Sequence, residues 1–388
     1  MFKIKTMNKI SPVGLSQLKP ELYAVSEGEE NPDAVLVRSA ALHDYPLPRS
    51  LKAIARAGAG TNNIPVDKCS ENGVVVFNTP GANANAVKEL VIGALILASR
   101  NMVDAVSWAQ SLKGKGAEVE KLVEKGKSQF VGPELSGKTI GVIGLGAIGV
   151  MVANAAHSLG MEVYGYDPYL SVEAAWGISR SIHRAASLQE IYAKSDFITI
   201  HVPLNDETRG TFNAESIAVM KKGVRLFNFA RGGLAVNADV IAALASGQVA
   251  SYTVDFPSDD LLGVKGVIPV PHLGASTPES EDNCAAMAAN ELSAFLECGN
   301  IRNSVNFPNV ELPVSSSTRV TVVHKNIPSM LARISTAFSD DGINIDNLLD
   351  KSKKEYAYTI LDVSGGEVEK VVDRLRSIPG VIRVRVLR

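Results

Sequence analysis

Short apolar runs recur along this chain, each closed by glycine, proline or polar residues and separated by stretches of helical spacing. DAVLVRS (33–39), LKAIARAGAG (51–60) and VVVFNTPG (74–81) read as strands, and the opening MFKIKTMNKI alternates like another. Between 82 and 101, Leu90, Val91, Ala94, Leu95 and Ala98 repeat at helical spacing and predict a long helix. The segment 114–138 is polar and charged, predicts partial helix, and separates the first domain from the second. Apolar residues 139–143 then predict a strand, 150–160 a helix and 162–168 a second strand. DFITIHVP (196–203), VRLFNFARGG (224–233), ASYTVDF (250–256) and GVIPVPHLGAST (266–277) continue the alternation. Strands alternating with helices predict two parallel-sheet α/β domains.

The pattern changes near the C-terminus. Residues 279–300 predict an amphipathic helix ending near Gly299, followed by a small polar linker at 312–317 between Pro308, Pro313 and the next apolar run. From 318 onward the order is strand, helix, two strands, helix, strand: a βαββαβ unit of the ferredoxin-like kind. About 70 residues around one small sheet bury too little to stand well alone, so pairing through sheet edges is expected.

Composition narrows the function classes. The 388 residues, 46% hydrophobic and 21% charged, suffice for two or three packed domains. A formal net charge of −2 offers nothing to nucleic acid or to a membrane surface. Cys69, Cys284 and Cys298 are far apart and form neither a metal-ligand pattern nor a disulfide framework, which fits a reducing compartment. The apolar stretch 90–98 is too short to span a bilayer, and the N-terminus lacks the apolar core of a signal peptide. A cytoplasmic protein without metal is expected.

The chemistry sits at strand ends. Gly144, Gly146 and Gly149 follow a buried strand in the spacing a dinucleotide turn requires: a tight turn, close approach to a pyrophosphate, and tight packing of the next helix. Asp167 closes the next strand 18 positions later, where a carboxylate accepts hydrogen bonds from a ribose and repels a 2′-phosphate, favouring NAD over NADP. Beyond it, His201, Arg231, Asp255 and His272 stand at successive strand ends, where ligands bind in open parallel sheets. Arg231 in FARGG offers a fork of donors to a carboxylate. His272 in VPHLGAS can remove the proton of a secondary alcohol as NAD takes the hydride. His201 reads as a wall or structural residue.

GVIGLGAIG, FARGG and PHLGAST, in that order and spacing, resemble the D-isomer-specific 2-hydroxy-acid dehydrogenase family, and 318–388 resembles an ACT domain. The resemblance spans essentially the whole chain. It implies a flavodoxin-like substrate domain (1–82 and 276–314), an inserted NAD-binding Rossmann domain (83–275) and a ferredoxin-like ACT regulatory domain (315–388). It further implies NAD-dependent oxidation of 3-phospho-D-glycerate to 3-phosphooxypyruvate, the first step of the phosphorylated route to L-serine, in a homodimer or homotetramer. Sister activities of the same chemistry are a glyoxylate/hydroxypyruvate reductase and a 4-phosphoerythronate dehydrogenase; a non-catalytic NAD-sensing protein is the alternative of another class.

By the same resemblance Arg38, Ser39, Asn62 and Asn83 contact substrate. Ala147 and Ile148 belong to the pyrophosphate turn, Val202 and Pro203 to the adenosine-side wall, and Ala230 and Asp255 to the nicotinamide side. The family's glutamate that hydrogen-bonds the catalytic histidine lies five positions after the aspartate matched by Asp255, and here that position is Asp260. Asp260 is therefore expected to serve His272, with Asp259, Glu279 and Glu281 as alternative carboxylates and the absence of any partner as the remaining alternative. In the ACT domain, His324, Asn326 and Asn344 match positions that bind L-serine as feedback inhibitor, and Ser329 stands where the family commonly has glycine.

Overall fold

The apolar runs become the buried centres of three sheets. The computed structural model describes residues 1–387 and divides into two compact units, residues 1–83 with 278 onward, and residues 84–277. In the first unit, β1 (Phe2–Met7), β2 (Tyr23–Ser26), β3 (Ala34–Val37), β4 (Ala53–Arg56) and β5 (Val75–Phe77) form a parallel sheet in the order β2-β1-β3-β4-β5. This is the flavodoxin-like order. Residues of β3 and β5 are buried on both faces, which is why these strands read as unbroken aliphatic runs. One face packs Ile4, Leu36 and Phe77 against Leu292 and Phe295 of the long helix Pro278–Cys298. Val37 pairs with Arg56, so Arg38 and Arg56 lie at the same carboxyl edge.

The second unit holds β6 (Thr139–Ile143), β7 (Glu162–Tyr166), β8 (His183–Arg184), β9 (Phe197–Ile200), β10 (Val224–Asn228), β11 (Val249–Val254) and β12 (Val267–Pro269). They form one parallel sheet in the order β12-β11-β10-β9-β6-β7-β8. The order reverses at β6 and β9, which opens a crevice beyond their carboxyl ends. The expected helix at 82–101 is Ala84–Ser99, and that at 150–160 starts earlier, as Ala147–Ser158. The polar segment 114–138 contains one helix, Val119–Gly126, and two single turns. The strand expected over 266–277 shrinks to β12, and the glycine- and proline-containing remainder is the loop carrying His272. Among the described residues no single helix is long and apolar enough to cross a membrane.

The C-terminal βαββαβ order appears as β13 (Thr318–Lys325), β14 (Asn344–Lys353), β15 (Tyr356–Ser364) and β16 (Val381–Leu387), an antiparallel sheet in the order β14-β15-β13-β16. Helices Met330–Ser339 and Val368–Ser377 cover one face through Ile334, Phe338, Val371 and Leu375. The other face packs within the first unit, where Val323, Tyr358 and Ile360 join the core built around Phe295.

Its polar residues are donors to backbone carbonyls. Arg385 donates to the Phe295 and Leu296 oxygens at 3.1 and 2.8 Å, and the Tyr358 hydroxyl donates to the Gly299 oxygen at 2.7 Å. Arg319 donates to the Cys298, Leu312 and Pro313 oxygens at 3.0, 3.0 and 2.6 Å while forming a two-pronged pair with Asp362 at 2.7 and 3.1 Å. The last turn of a helix leaves carbonyls such as those of Leu296 and Cys298 without an intrahelical partner and partially negative, and guanidinium groups satisfy both demands.

Candidate active site

The glycine turn fits a dinucleotide. Gly144 has φ +89°, and a Cβ there would lie 2.6 Å from the His201 carbonyl oxygen. A Cβ on Gly149 would lie 1.9 Å from the Gly144 oxygen, so only glycine lets helix Ala147–Ser158 come this close. At Gly146 nothing stands within 4 Å of that direction, and no side chain caps the helix. Its first N–H groups, from Ala147 and Ile148, are left for an anion. Asp167 anchors the turn, accepting from the Leu145 N–H (2.8 Å) through one oxygen and the Tyr169 N–H (2.8 Å) through the other. Beside it is a cavity of about 330 Å³ lined by Leu145, Tyr166, Asp167, Pro168, Ile178 and Arg184 among others.

The His201 backbone and the Val202 side chain wall the turn. The His201 imidazole is shielded; Nε2 meets Thr199 Oγ1 at 2.9 Å, and Nδ1 has no partner. Burial lowers its pKa to about 4, so it is neutral and serves as a wall. The Pro203 carbonyl oxygen accepts from the Thr208 hydroxyl at 2.6 Å.

Arg231 and His272, both exposed, stand on loops tied to one buried hub. Asn228, at the end of β10, donates from Nδ2 to the Arg231 carbonyl (2.8 Å) and accepts from the Ala230 and Arg231 N–H groups at 3.2 and 3.3 Å. Its own carbonyl accepts the Asp255 N–H at 3.0 Å. Asp255 is 1% exposed and accepts from the Leu273 and Gly274 N–H groups at 2.8 and 2.9 Å. Burial pushes its carboxyl up, against those two donors and the neighbouring His272. His272 itself has φ +53°, a left-handed conformation that this clamp sustains. Asn228 and the anchoring role of Asp255 were not singled out in the sequence; a buried amide closing the apolar run VRLFN was the available signal.

Asp260 does not take the expected place. Its carboxylate accepts from Asn237 Nδ2 at 3.1 and 3.0 Å and from the Ser258 hydroxyl at 2.5 Å, and these bonds hold its pKa below the usual range. Among the described residues no hydrogen bond or ion pair joins the His272 ring to a carboxylate. Aspartate is one methylene shorter than the family's glutamate, and the two local donors capture it.

In the first unit, Arg38 pairs with Glu281 at 2.6 Å, and its carbonyl accepts from Arg56 Nε at 3.0 Å. Arg56 stands in register with Val37, one position before Arg38, and its segment LKAIARAGAG reads as plain strand without sign of this contact. The Ser39 N–H donates to Asn8 Oδ1 at 3.1 Å, and the exposed Asn62 meets His43 Nε2 through its carbonyl at 3.0 Å. Asn83 is half-buried at the last position of that unit's first segment.

His324 lies within the C-terminal sheet. It is 2% exposed, with Nδ1 on the Lys325 oxygen (2.9 Å) and Nε2 on Asp350 Oδ1 (3.2 Å) and Thr359 Oγ1 (2.9 Å). Both ring nitrogens are thus engaged within the sheet. Asn326 and Asn344 are exposed, the first donating to the Lys354 oxygen at 3.1 Å and the second to Asp346 at 2.7 Å. Ser329 has φ +66°, which explains why glycine suits that position.

A doubly wound sheet with a dinucleotide turn, an exposed arginine and an exposed histidine defines the class: a nicotinamide-dependent dehydrogenase of hydroxy acids. Comparison with known proteins agrees. Residues 92–274 match D-isomer specific 2-hydroxyacid dehydrogenase, NAD binding domain, and residues 320–383 match an AHAS small subunit-like ACT domain. The D-3-phosphoglycerate dehydrogenase of Escherichia coli (strain K12) is 32% identical over 350 residues, covering 87% of this chain and 82% of that protein. Among solved structures, a glyoxylate reductase from Paecilomyes thermophila has TM-score 0.65 and 26% identity, covering 78% of this chain and 98% of its own. A cofactor (NAD+)-bound 3-phosphoglycerate dehydrogenase of Entamoeba histolytica has TM-score 0.59 and 25% identity, covering 79% and 98%. The chain belongs to the D-isomer-specific 2-hydroxyacid dehydrogenase family and is an NAD-dependent oxidoreductase with a C-terminal ACT domain.

Proposed function

We propose that this protein oxidises 3-phospho-D-glycerate to 3-phosphooxypyruvate, the entry reaction of L-serine synthesis. The observation that carries this choice of hydroxy acid is the union of dehydrogenase and ACT domain in a chain matching D-3-phosphoglycerate dehydrogenase over 87% of its length. Gly144, Gly146, Ala147, Ile148 and Gly149 hold the pyrophosphate of NAD, and Asp167 holds the adenosine ribose. Val202 and Pro203 wall the adenosine side, and Ala230 and Asp255 lie toward the nicotinamide. NAD, when bound, supplies the acceptor for the hydride leaving the substrate's carbon 2.

Arg231 binds the substrate carboxylate through its guanidinium fork, and His272 removes the hydroxyl proton. In the reverse direction His272 returns that proton to the carbonyl oxygen. Arg38, Ser39, Asn62 and Asn83 are assigned to substrate; Arg38 supplies a cation for phosphate once its surface pair with Glu281 exchanges. The fit of Asp260 to its local donors leaves His272 without a bonded carboxylate, so Asp260 is assigned no catalytic role.

L-serine is the proposed effector, read by the exposed amides of Asn326 and Asn344, in an assembly of two or four copies. The test is NADH formation with 3-phospho-D-glycerate against D-glycerate and 4-phospho-D-erythronate, with and without L-serine. A higher kcat/KM for either competitor refutes the substrate. Saturating serine that changes neither rate nor thermal stability refutes the effector.

A further inference from the structure

Two side chains of the second unit carry the proposed chemistry, and each rises from a clamped backbone. The His272 backbone is clamped: its N–H donates to the Val270 oxygen at 2.9 Å, and Asp255 holds the next two residues. Its imidazole is exposed and makes no hydrogen bond among the described residues. Arg231 is fixed by the Asn228 hub, and its Nη1 turns back to the Ala230 oxygen at 2.7 Å. Beside both groups stands Phe256. Its ring centroid is 4.5 Å from that of His272, tilted by 48°, and 5.7 Å from the guanidinium carbon of Arg231. The ring has a firm footing, packing against the core of Ile200, Leu226 and Val254. A Cβ on Gly232 would lie 3.5 Å from the Phe256 Cβ, so the FARGG turn runs directly past it.

We propose that Phe256 is a positioning residue, an aromatic platform that holds the imidazole of His272 and the guanidinium of Arg231 in fixed relation. This rests on the reading that those two groups act on a hydroxy acid. Imidazole and guanidinium both prefer an aromatic surface to free rotation in water, and each contact is individually modest. A catalytic pair gains from restricted rotation because a displacement of about 1 Å can cost a hundredfold in rate. Asp260 is spent on Asn237 and Ser258, so in this chain the ring takes over the orienting task.

The test uses the full-length enzyme and the variants Phe256→Leu and Phe256→Tyr. Losing both contacts predicts that Phe256→Leu lowers kcat/KM for 3-phospho-D-glycerate about 5- to 30-fold, mostly through kcat. NADH affinity, followed by fluorescence titration, and the thermal midpoint stay near wild type, and Phe256→Tyr recovers the rate. Phe256→Met keeps the volume and replaces the leucine variant if that one loses its fold. Histidine-selective labelling supplies a readout independent of turnover. The His272 ring-proton resonance, assigned with His272→Gln, should carry a ring-current shift that vanishes in Phe256→Leu and persists in Phe256→Tyr. An unchanged rate in Phe256→Leu, an unchanged His272 resonance, or failure of tyrosine to restore the rate overturns the proposal. Absence of turnover in the wild type overturns the reading beneath it, and the resonance alone then decides whether Phe256 holds His272.

Discussion

Replacing Arg319 by methionine strikes the joint between the C-terminal sheet and the helix Pro278–Cys298. Arg319 is 5% exposed and Asp362 is 0% exposed, so the substitution strands a buried carboxylate and frees three backbone carbonyls at once. Removing one partner of a buried pair costs about 3–5 kcal/mol, most of it the desolvated charge left behind. The carbonyls keep other options and add less. A loss of about 4 kcal/mol is a large share of a stability of about 5–15 kcal/mol. Hydrogen exchange of peptides within 318–364 measures it, since that loss raises exchange through opening by roughly a thousandfold. Both tryptophans, Trp108 and Trp176, lie in the other unit, so their fluorescence separately reports unit 84–277. Pairing Arg319→Met with Asp362→Leu removes the stranded charge and should recover at least half the loss. Exchange within threefold of wild type in the single variant, or a double variant no better than the single, refutes the reasoning.

Glu291 is buried, with Asn303 on one oxygen and no partner on the other, and burial raises its pKa from 4.5 to about 8. The folded state therefore keeps a proton that the unfolded chain releases, and stability falls as the pH rises through that window, at up to about 1.4 kcal/mol per pH unit. Glu291→Gln should flatten this slope, as read by calorimetric midpoints at pH 5 and pH 8; an unchanged slope rejects Glu291 as its source. Glu281→Gln releases Arg38 from a surface pair, so the KM for 3-phospho-D-glycerate should fall by up to about fivefold with stability unchanged; a raised KM removes Arg38 from phosphate binding. Asp260→Asn should leave kcat within about twofold, because its carboxylate serves Asn237 and Ser258; a tenfold loss of kcat would return Asp260 to the mechanism.

Much of this was legible along the chain because the relevant forces are local. Aliphatic runs such as AVLV and TIGVI, buried at every position, mark parallel strands without help from the rest of the fold. Gly144 and Gly149 are dictated by steric limits within the turn's immediate surroundings. The hydrogen bonds of Asp260 to Asn237 and Ser258 were not legible, because spacing carries no information about which donors compete for a carboxylate. The engagement of His324 with Asp350 and Thr359 was not legible, because a polar residue at a strand end reads the same whether it faces a ligand or a neighbouring strand.

The sequence by itself determined most strands of the three sheets and the steric demands of the glycine turn, since periodicity and local sterics suffice for these. Only the tertiary structure decided which polar groups find each other. It drew Asn228 and Asp255 into one hub beneath the loops of Arg231 and His272 and set Phe256 against both side chains. It also turned Arg319, Tyr358 and Arg385 toward the carbonyls after Ala294. The reason is that buried donors and acceptors must be paired, and their partners come from distant parts of the chain whose proximity no local pattern encodes.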